Sequence, residues 1–279
     1  MLERRSSAPH GSARLPAGRQ GIAERRRTRR RRALIALSLL IFLLSAGIIY
    51  ELWQNGTRIS HIQIFGADKS FADIAHAAIQ GTYFGIIPRD SIFFFPASRI
   101  RADIIAAHSD IAAVSIFRNG LTSISIKTND RAPIARWCGL SPSGPGVDEY
   151  CYVFDASGLI YATAAATTTT INNFRVYAPL ESETLEPLLA TILHANKLPA
   201  ALDFARQLDT FGSPVMKVVL RDDEVDDYLT SGTRITYVLG NEQNAFTALV
   251  SARDNLNLAD GSLEYVDLRF NGKVYLKKK

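Results

Sequence analysis

The stretch Asp222-Asp223-Glu224-Val225-Asp226-Asp227 is the densest acidic run in the chain. Hard oxygen donors at such density are the raw material of a calcium site. A helix–loop–helix calcium loop, however, needs Gly at its sixth position and Glu at its twelfth, and those positions here hold Asp227 and Thr233. The run therefore reads as a solvated turn between two strands. The five histidines, His10, His61, His76, His108 and His194, are scattered, with no His-Glu-x-x-His spacing. They read as structural. No Gly-x-Ser-x-Gly, Ser-x-x-Lys or Gly-x-x-x-x-Gly-Lys pattern supplies a nucleophile or a phosphate cradle. The expectation is a chain without catalysis, cofactor or metal.

Cys138 and Cys151 leave three readings open: a disulfide, two free thiols, or a metal site lacking histidine. A disulfide would close the Gly- and Pro-rich stretch GLSPSGPGVDEY.

These residues need a frame, and the charge pattern divides it. Residues 1–32 carry eleven arginines against Glu3 and Glu24, about +9. The net charge is +5, so the remainder carries about −4. The high pI thus belongs to a tail, which disfavours nucleic acid as a partner of the folded body. Residues 33–50, ALIALSLLIFLLSAGIIY, carry no charge. At 1.5 Å per residue they cover roughly 27 Å, near the thickness of a bilayer core. Leu52 and Trp53 extend the run to an interfacial aromatic at 33–53. The run is longer than a signal-peptide core and ends in no A-x-A-like site. It reads as a retained single transmembrane helix. The preceding arginines keep the N-terminus in the cytoplasm and touch anionic lipid; the bulk is extracytoplasmic. Residues 1–32 read as a disordered arginine-rich cytoplasmic tail, most clearly the first 24 with their Pro and Gly.

Beyond the span, Ile59–Phe65 alternates as a strand. Phe71–Ile79 and Ala97–His108 carry helical spacing, joined by an apolar connection broken at Pro88 and Pro96. Ala113–Phe117 and Leu121–Lys127 are strands joined through Asn119-Gly120, a strong hairpin signal. The order β-α-α-β-β fills 59–128. Asp130-Arg131-Ala132-Pro133 reads as a linker, because Pro133 biases Ala132 away from helix. Strands then dominate 133–279: Ile134–Trp137, Tyr152–Asp155, Leu159–Ala162, Val215–Arg221 and Arg234–Leu239. Helices are expected at Thr184–Ala195, Ala200–Leu208 and Asn241–Leu256. Residues 162–170 are low in complexity and read as a loop. The fold class is α+β: one N-terminal transmembrane helix, a small β-α-α-β-β domain and a mixed β-rich α+β domain.

A basic tail, one span and β-α-α-β-β next to the membrane resembles the polypeptide-transport-associated (POTRA) module. With the second domain the chain is similar to the bacterial cell-division proteins of the FtsQ/DivIB family. The residues that carry this are Ile62-Gln63-Ile64-Phe65-Gly66, Asp130-Arg131-Ala132-Pro133-Ile134-Ala135, Asp155-Ala156-Ser157-Gly158, Leu239-Gly240 and Tyr265-Val266-Asp267-Leu268-Arg269-Phe270. The Cys138–Cys151 loop and the arginine-rich start depart from the family pattern. The resemblance implies a non-enzymatic scaffold of the divisome in the cell inner membrane, acting at the division septum. It implies binding of other membrane division proteins, among them small coiled-coil single-pass proteins, through the POTRA module and the end of the second domain. Two other classes stand beside it: a transport-type binding module and a membrane-anchored extracytoplasmic hydrolase.

The closing stretch YVDLRFNGKVYLKKK reads as a hairpin with a three-residue loop, Phe270-Asn271-Gly272, which puts Gly272 in the left-handed position. Val266 then faces Leu276, Asp267 sits by Tyr275, and Glu264 reaches Lys278. The last strand is expected at a sheet edge. Lys273, Val274, Tyr275, Leu276 and Lys277 are the candidate partner-binding residues. Blandly, the lysines blunt an edge; more sharply, a partner adds a strand there.

Overall fold

The computed structural model describes residues 18–66, 70–142, 150–165, 168–270 and 272–279 of the chain. Helix α1 spans Gly18–Leu52. It begins well upstream of Ala33, inside the stretch expected to be unstructured. Arginine has high helix propensity, and a helix nucleated in the apolar run extends into it cheaply; residues 1–17 lie outside the described part. Arg26–Leu52, 27 residues, is long and apolar enough to cross a membrane. Inside the apolar run, the Ser38 and Ser45 hydroxyls donate to the carbonyls of Ile35 and Ile41 at 3.0 and 2.8 Å, which hides their polarity. At the C-terminal end the Thr57 hydroxyl donates to Glu51 O at 2.8 Å, satisfying a carbonyl the helix leaves open.

Next come β1 (His61–Phe65), α2 (Ser70–Ile79), β2 (Thr82–Tyr83), β3 (Ile87–Pro88), α3 (Ala97–Ala107), β4 (Ile111–Arg118) and β5 (Ser123–Asp130). Strands β1, β5 and β4 form a three-stranded sheet in that order. The order of elements matches the expectation with one addition. The apolar connection between the helices holds the short β2–β3 hairpin, where Thr82 pairs with Pro88 and Tyr83 with Ile87. A two-residue strand is too short to show the alternation that would mark it in sequence.

The rest of the chain builds a nine-stranded sheet: β6 (Ala135–Trp137), β7 (Tyr152–Phe154), β8 (Ile160–Thr163), β9 (Arg175–Tyr177), β10 (Val215–Leu220), β11 (Glu224–Leu229), β12 (Arg234–Val238), β13 (Leu263–Asp267) and β14 (Tyr275–Lys278). The spatial order is β14-β13-β12-β11-β10-β9-β6-β7-β8. Helices α4 (Leu198–Leu208) and α5 (Glu242–Ala252) lead from β9 to parallel β10 and from β12 to parallel β13. Parallel neighbours require such crossovers. The core lies where these helices meet the sheet: Phe204 rests against Tyr237 at 4.4 Å between ring centroids, amid Leu202, Val218, Ile235, Leu249 and Val266. The chain thus has a mixed α+β fold with a sheet-rich body.

Contacts divide the chain into two units. One takes Met1–Gln63, His76–Pro96 and Arg118–Ser125; the other takes Ile64–Ala75, Ala97–Phe117 and Ile126–Lys279.

Two further expectations are corrected. Thr184–Ala195 is not a helix. Pro187 sits inside it, Leu189 and His194 have left-handed φ of 66° and 57°, and isolated bridges tie Thr191 to Leu159 and Ile192 to Leu180. The acidic run is not one turn: Glu224–Leu229 is β11, an interior strand. At the expected linker, Asp130 ends β5 and residues 131–134 have no regular structure, yet the segment is tied down. Arg131 donates to the Asp155 carboxylate and to Ser109 O, and its own carbonyl accepts from the Tyr161 hydroxyl at 3.3 Å.

Candidate partner-binding edge

Strand β14 closes one side of the nine-stranded sheet, and β13 is its partner there. Val266 lies opposite Leu276, and Asp267 opposite Tyr275. Gly272 has φ 68°, the left-handed conformation that glycine adopts without penalty; Asn271 lies outside the described residues. A bulge between Leu263 and Tyr265 shifts the far end of the ladder. Glu264 therefore meets Lys277, at 2.7 Å, and not Lys278. The extra residue in one strand moves every later pair by one place.

Of the five predicted site residues, Lys273 and Val274 lead into β14, while Tyr275, Leu276 and Lys277 form it. Val274 is half-buried against the core, and every residue of β14 is exposed. Tyr275 stands edge-on to Phe270, 5.2 Å between centroids. Lys277 Nζ lies 6.0 Å above the Tyr265 ring, and the hydrogen bond to Glu264 raises its pKa. Among the described residues, no strand pairs with the outer row of backbone N–H and C=O groups of β14, which has an aromatic and cations around it. Such a row is a template for another strand.

The base of the hairpin is held by a residue outside the predicted set. Arg269 donates to both Asp267 oxygens, at 3.0 and 2.7 Å, and to Glu224 Oε1 at 2.7 Å. Its hydrogen bonds hold the Asp267 carboxyl below its ordinary value against the opposing effect of burial. The guanidinium is raised in turn, first by Asp267 and then by Glu224. A groove of about 510 Å3 runs beside the hairpin, between Thr247, Ala248, Ser251 and Ala252 of α5 and Gly272 and Val274. Its sequence signal was small side chains at i and i+4 on an exposed helix face, 247/251 and 248/252.

Cys138 and Cys151 are joined in a disulfide, so neither sulfur is a free nucleophile or metal ligand. They flank the last pair of the β6–β7 ladder, Trp137 and Tyr152.

Within the acidic run Asp222 and Asp223 are exposed, Glu224 is half-buried and holds Arg269, and Asp226 and Asp227 are buried. Asp226 accepts from Arg221 and from the Thr236 hydroxyl. Asp227 faces the core, fully buried, and neither of its oxygens has a hydrogen-bond partner. Burial, then the charges of Asp226 and Glu242, push its carboxyl well above the ordinary range. The Tyr237 hydroxyl, raised by burial and by Asp227 and Glu242, is likewise unpartnered. Among the described residues, no cluster of three His, Cys, Asp or Glu side chains has the placement to hold a metal ion. Of the histidines, His108 takes up structural contacts with Ser70 and the Phe71 ring.

No protein-family model matches the chain, and no curated protein matches it significantly.

Proposed function

We propose that this chain is a non-catalytic scaffold of bacterial cell division, of the FtsQ/DivIB kind. Helix α1 crosses the inner membrane with the arginine-rich side in the cytoplasm, and the rest of the chain lies outside, at the septum. The β1-α2-α3-β4-β5 region acts as a POTRA module. The edge of β14 docks a membrane division partner by strand addition, with a small coiled-coil protein as the occupant.

The observation that carries this reading is the open side of β14, exposed along its whole length at the end of a nine-stranded sheet. Backbone hydrogen bonds along that side supply affinity; Tyr275, Lys273 and the neighbouring groove supply selectivity. The lysines favour an acidic partner segment. The order of elements around the β1-β5-β4 sheet and the candidate span of α1 support the rest.

The test is made in growing cells with the full chain. A fluorescent fusion is expected to form midcell rings, and Tyr275→Asp is expected to lose its cross-linked small coiled-coil partner while its circular dichroism stays native. A uniform envelope signal would overturn the division role. Undiminished partner recovery with folded Tyr275→Asp and with a chain lacking Lys273–Lys279 would overturn the docking edge.

A further inference from the structure

We infer that the β2–β3 hairpin is a membrane foot, whose tip, Phe84-Gly85-Ile86, enters the headgroup–acyl boundary of the bilayer where α1 emerges. The inference rests on the reading that α1 crosses that bilayer.

Nothing in the fold accounts for Phe84. Ile86 N donates to Tyr83 O at 3.0 Å, closing a tight turn in which Phe84 and Gly85 have φ of 52° and 72°. Two successive left-handed positions favour Asn-Gly. A bulky residue at the first of them is an outlier, at about 1–2 kcal/mol. The Phe84 side chain is 97% exposed, so its ring gains no burial in return. An apolar ring held in a strained conformation and packed against none of the described residues points to a neighbour beyond them.

The position of the tip says what lies there. Trp53 directly follows α1, and its indole N–H donates to Ile86 O at 2.8 Å. One side chain therefore fixes the hairpin tip to the end of the candidate span. Ile86, 51% exposed, continues the apolar surface from Phe84. The surroundings are of the interfacial type: Arg89 lies 5.2 Å over the Tyr83 ring and Arg58 6.0 Å over the Trp53 ring. Trp and Tyr collect at this depth because one end of each ring is apolar and the other wet. Arg58 is paired with Asp90 at 2.6 Å, so Arg89 is the guanidinium offered to lipid phosphates, its stem covering apolar surface. An apolar tip, an aromatic collar and the Arg89 cation, next to a span, together fit a lipid surface.

The test places one environment-sensitive fluorophore on the full-length chain, at Phe84→Cys or at Leu40→Cys in α1. The bonded Cys138–Cys151 pair leaves the added thiol as the labelling site. The chain is reconstituted in vesicles of phosphatidylcholine and phosphatidylglycerol carrying lipids with a quencher at a shallow or a deep position. The Leu40 probe is expected to lose most of its emission to the deep quencher, and the Phe84 probe most of its emission to the shallow one. A quenched Leu40 probe with a water-like Phe84 probe overturns the foot and leaves the span intact. A blue-shifted but unquenched Phe84 probe reports a protein neighbour and also overturns it. Loss of quenching at both sites overturns the span and the foot together.

Discussion

Arg131 and Asp155, 24 positions apart, meet in a direct ion pair with side chains only 14% and 11% exposed. The other Asp155 oxygen accepts from Ser157 N, Ser157 Oγ and Leu159 N at 2.9, 2.6 and 3.2 Å. Two short sequence signatures, Asp130–Pro133 and Asp155–Gly158, are thereby one structural feature. Arg131→Ala strands a buried carboxylate and is expected to cost about 3–5 kcal/mol in urea denaturation. An apolar pair at both positions is expected to cost far less. Burial pulls the Asp155 carboxyl up, but the hydrogen bonds from Ser157, Arg131 and Leu159 outweigh it and hold it below 3.8. Its contribution is therefore complete above that value and lost as pH falls through the lower folded value. Asp155→Ala is expected to flatten that acid limb.

Asp227 carries the opposite sign. Its folded pKa is raised, so the folded chain favours the protonated form. Stability attached to this group is complete below 3.8 and declines as pH rises toward the folded value. Asp227→Asn is expected to remove that decline and to raise the melting temperature most at alkaline pH. A wild-type pH profile unchanged by the substitution would count against a core-facing acid.

The disulfide closes a loop with a sequence separation of 13. On loop entropy, the double variant Cys138→Ser/Cys151→Ser is expected to lose about 3 kcal/mol. Thermal unfolding of the oxidised wild type, the reduced wild type and the double variant checks this, with the last two expected to coincide.

Lys277 and Glu264 are 54% and 49% exposed, so their ion pair contributes little. Lys277→Ala is expected to leave the melting temperature essentially where it is. The same substitution is expected to weaken partner capture, more at low salt than at high. A stability loss as large as that of Arg131→Ala would show that the edge supports the fold more than it serves a partner.

Phe84→Asn relieves a left-handed phenylalanine. In detergent, the full-length variant is expected to gain about 1 kcal/mol in thermal unfolding. A loss would mean that the ring makes contacts within the folded chain.

Much of this fold is legible in the residues. The uncharged run 33–50 marks α1, Asn119-Gly120 marks the β4–β5 hairpin, and Val266–Leu276 pairing follows from matching apolar faces. Tertiary context overrode the local signal at most of the misses, while Thr184–Ala195 also holds Pro187, a local breaker. Aspartate is poor in strands, yet Asp226 and Asp227 lie in β11 because ladders on both sides hold them there. Thr184–Ala195 has apolar residues at helical spacing, but bridges from Leu159 and Leu180 draw it into extended pairing. The Glu264 bulge, which moved the ion pair from Lys278 to Lys277, has no glycine to announce it. Of the candidate site, the edge position was readable. The Glu224 arm of the Arg269 clamp was not, since it joins segments distant in sequence, and the small residues at 247/251 and 248/252 mark only the α5 side of the groove.

The bond from Trp53 to Ile86 and the Thr57 cap on Glu51 also remove a freedom that a helix joined by a slack linker keeps. With both in place, α1 cannot swivel beneath its own unit as a slack leash would. Changing its azimuth by one residue, about 100°, drags the β2–β3 hairpin with it. Any neighbouring helix that grips one side of α1 therefore also sets the heading of that hairpin.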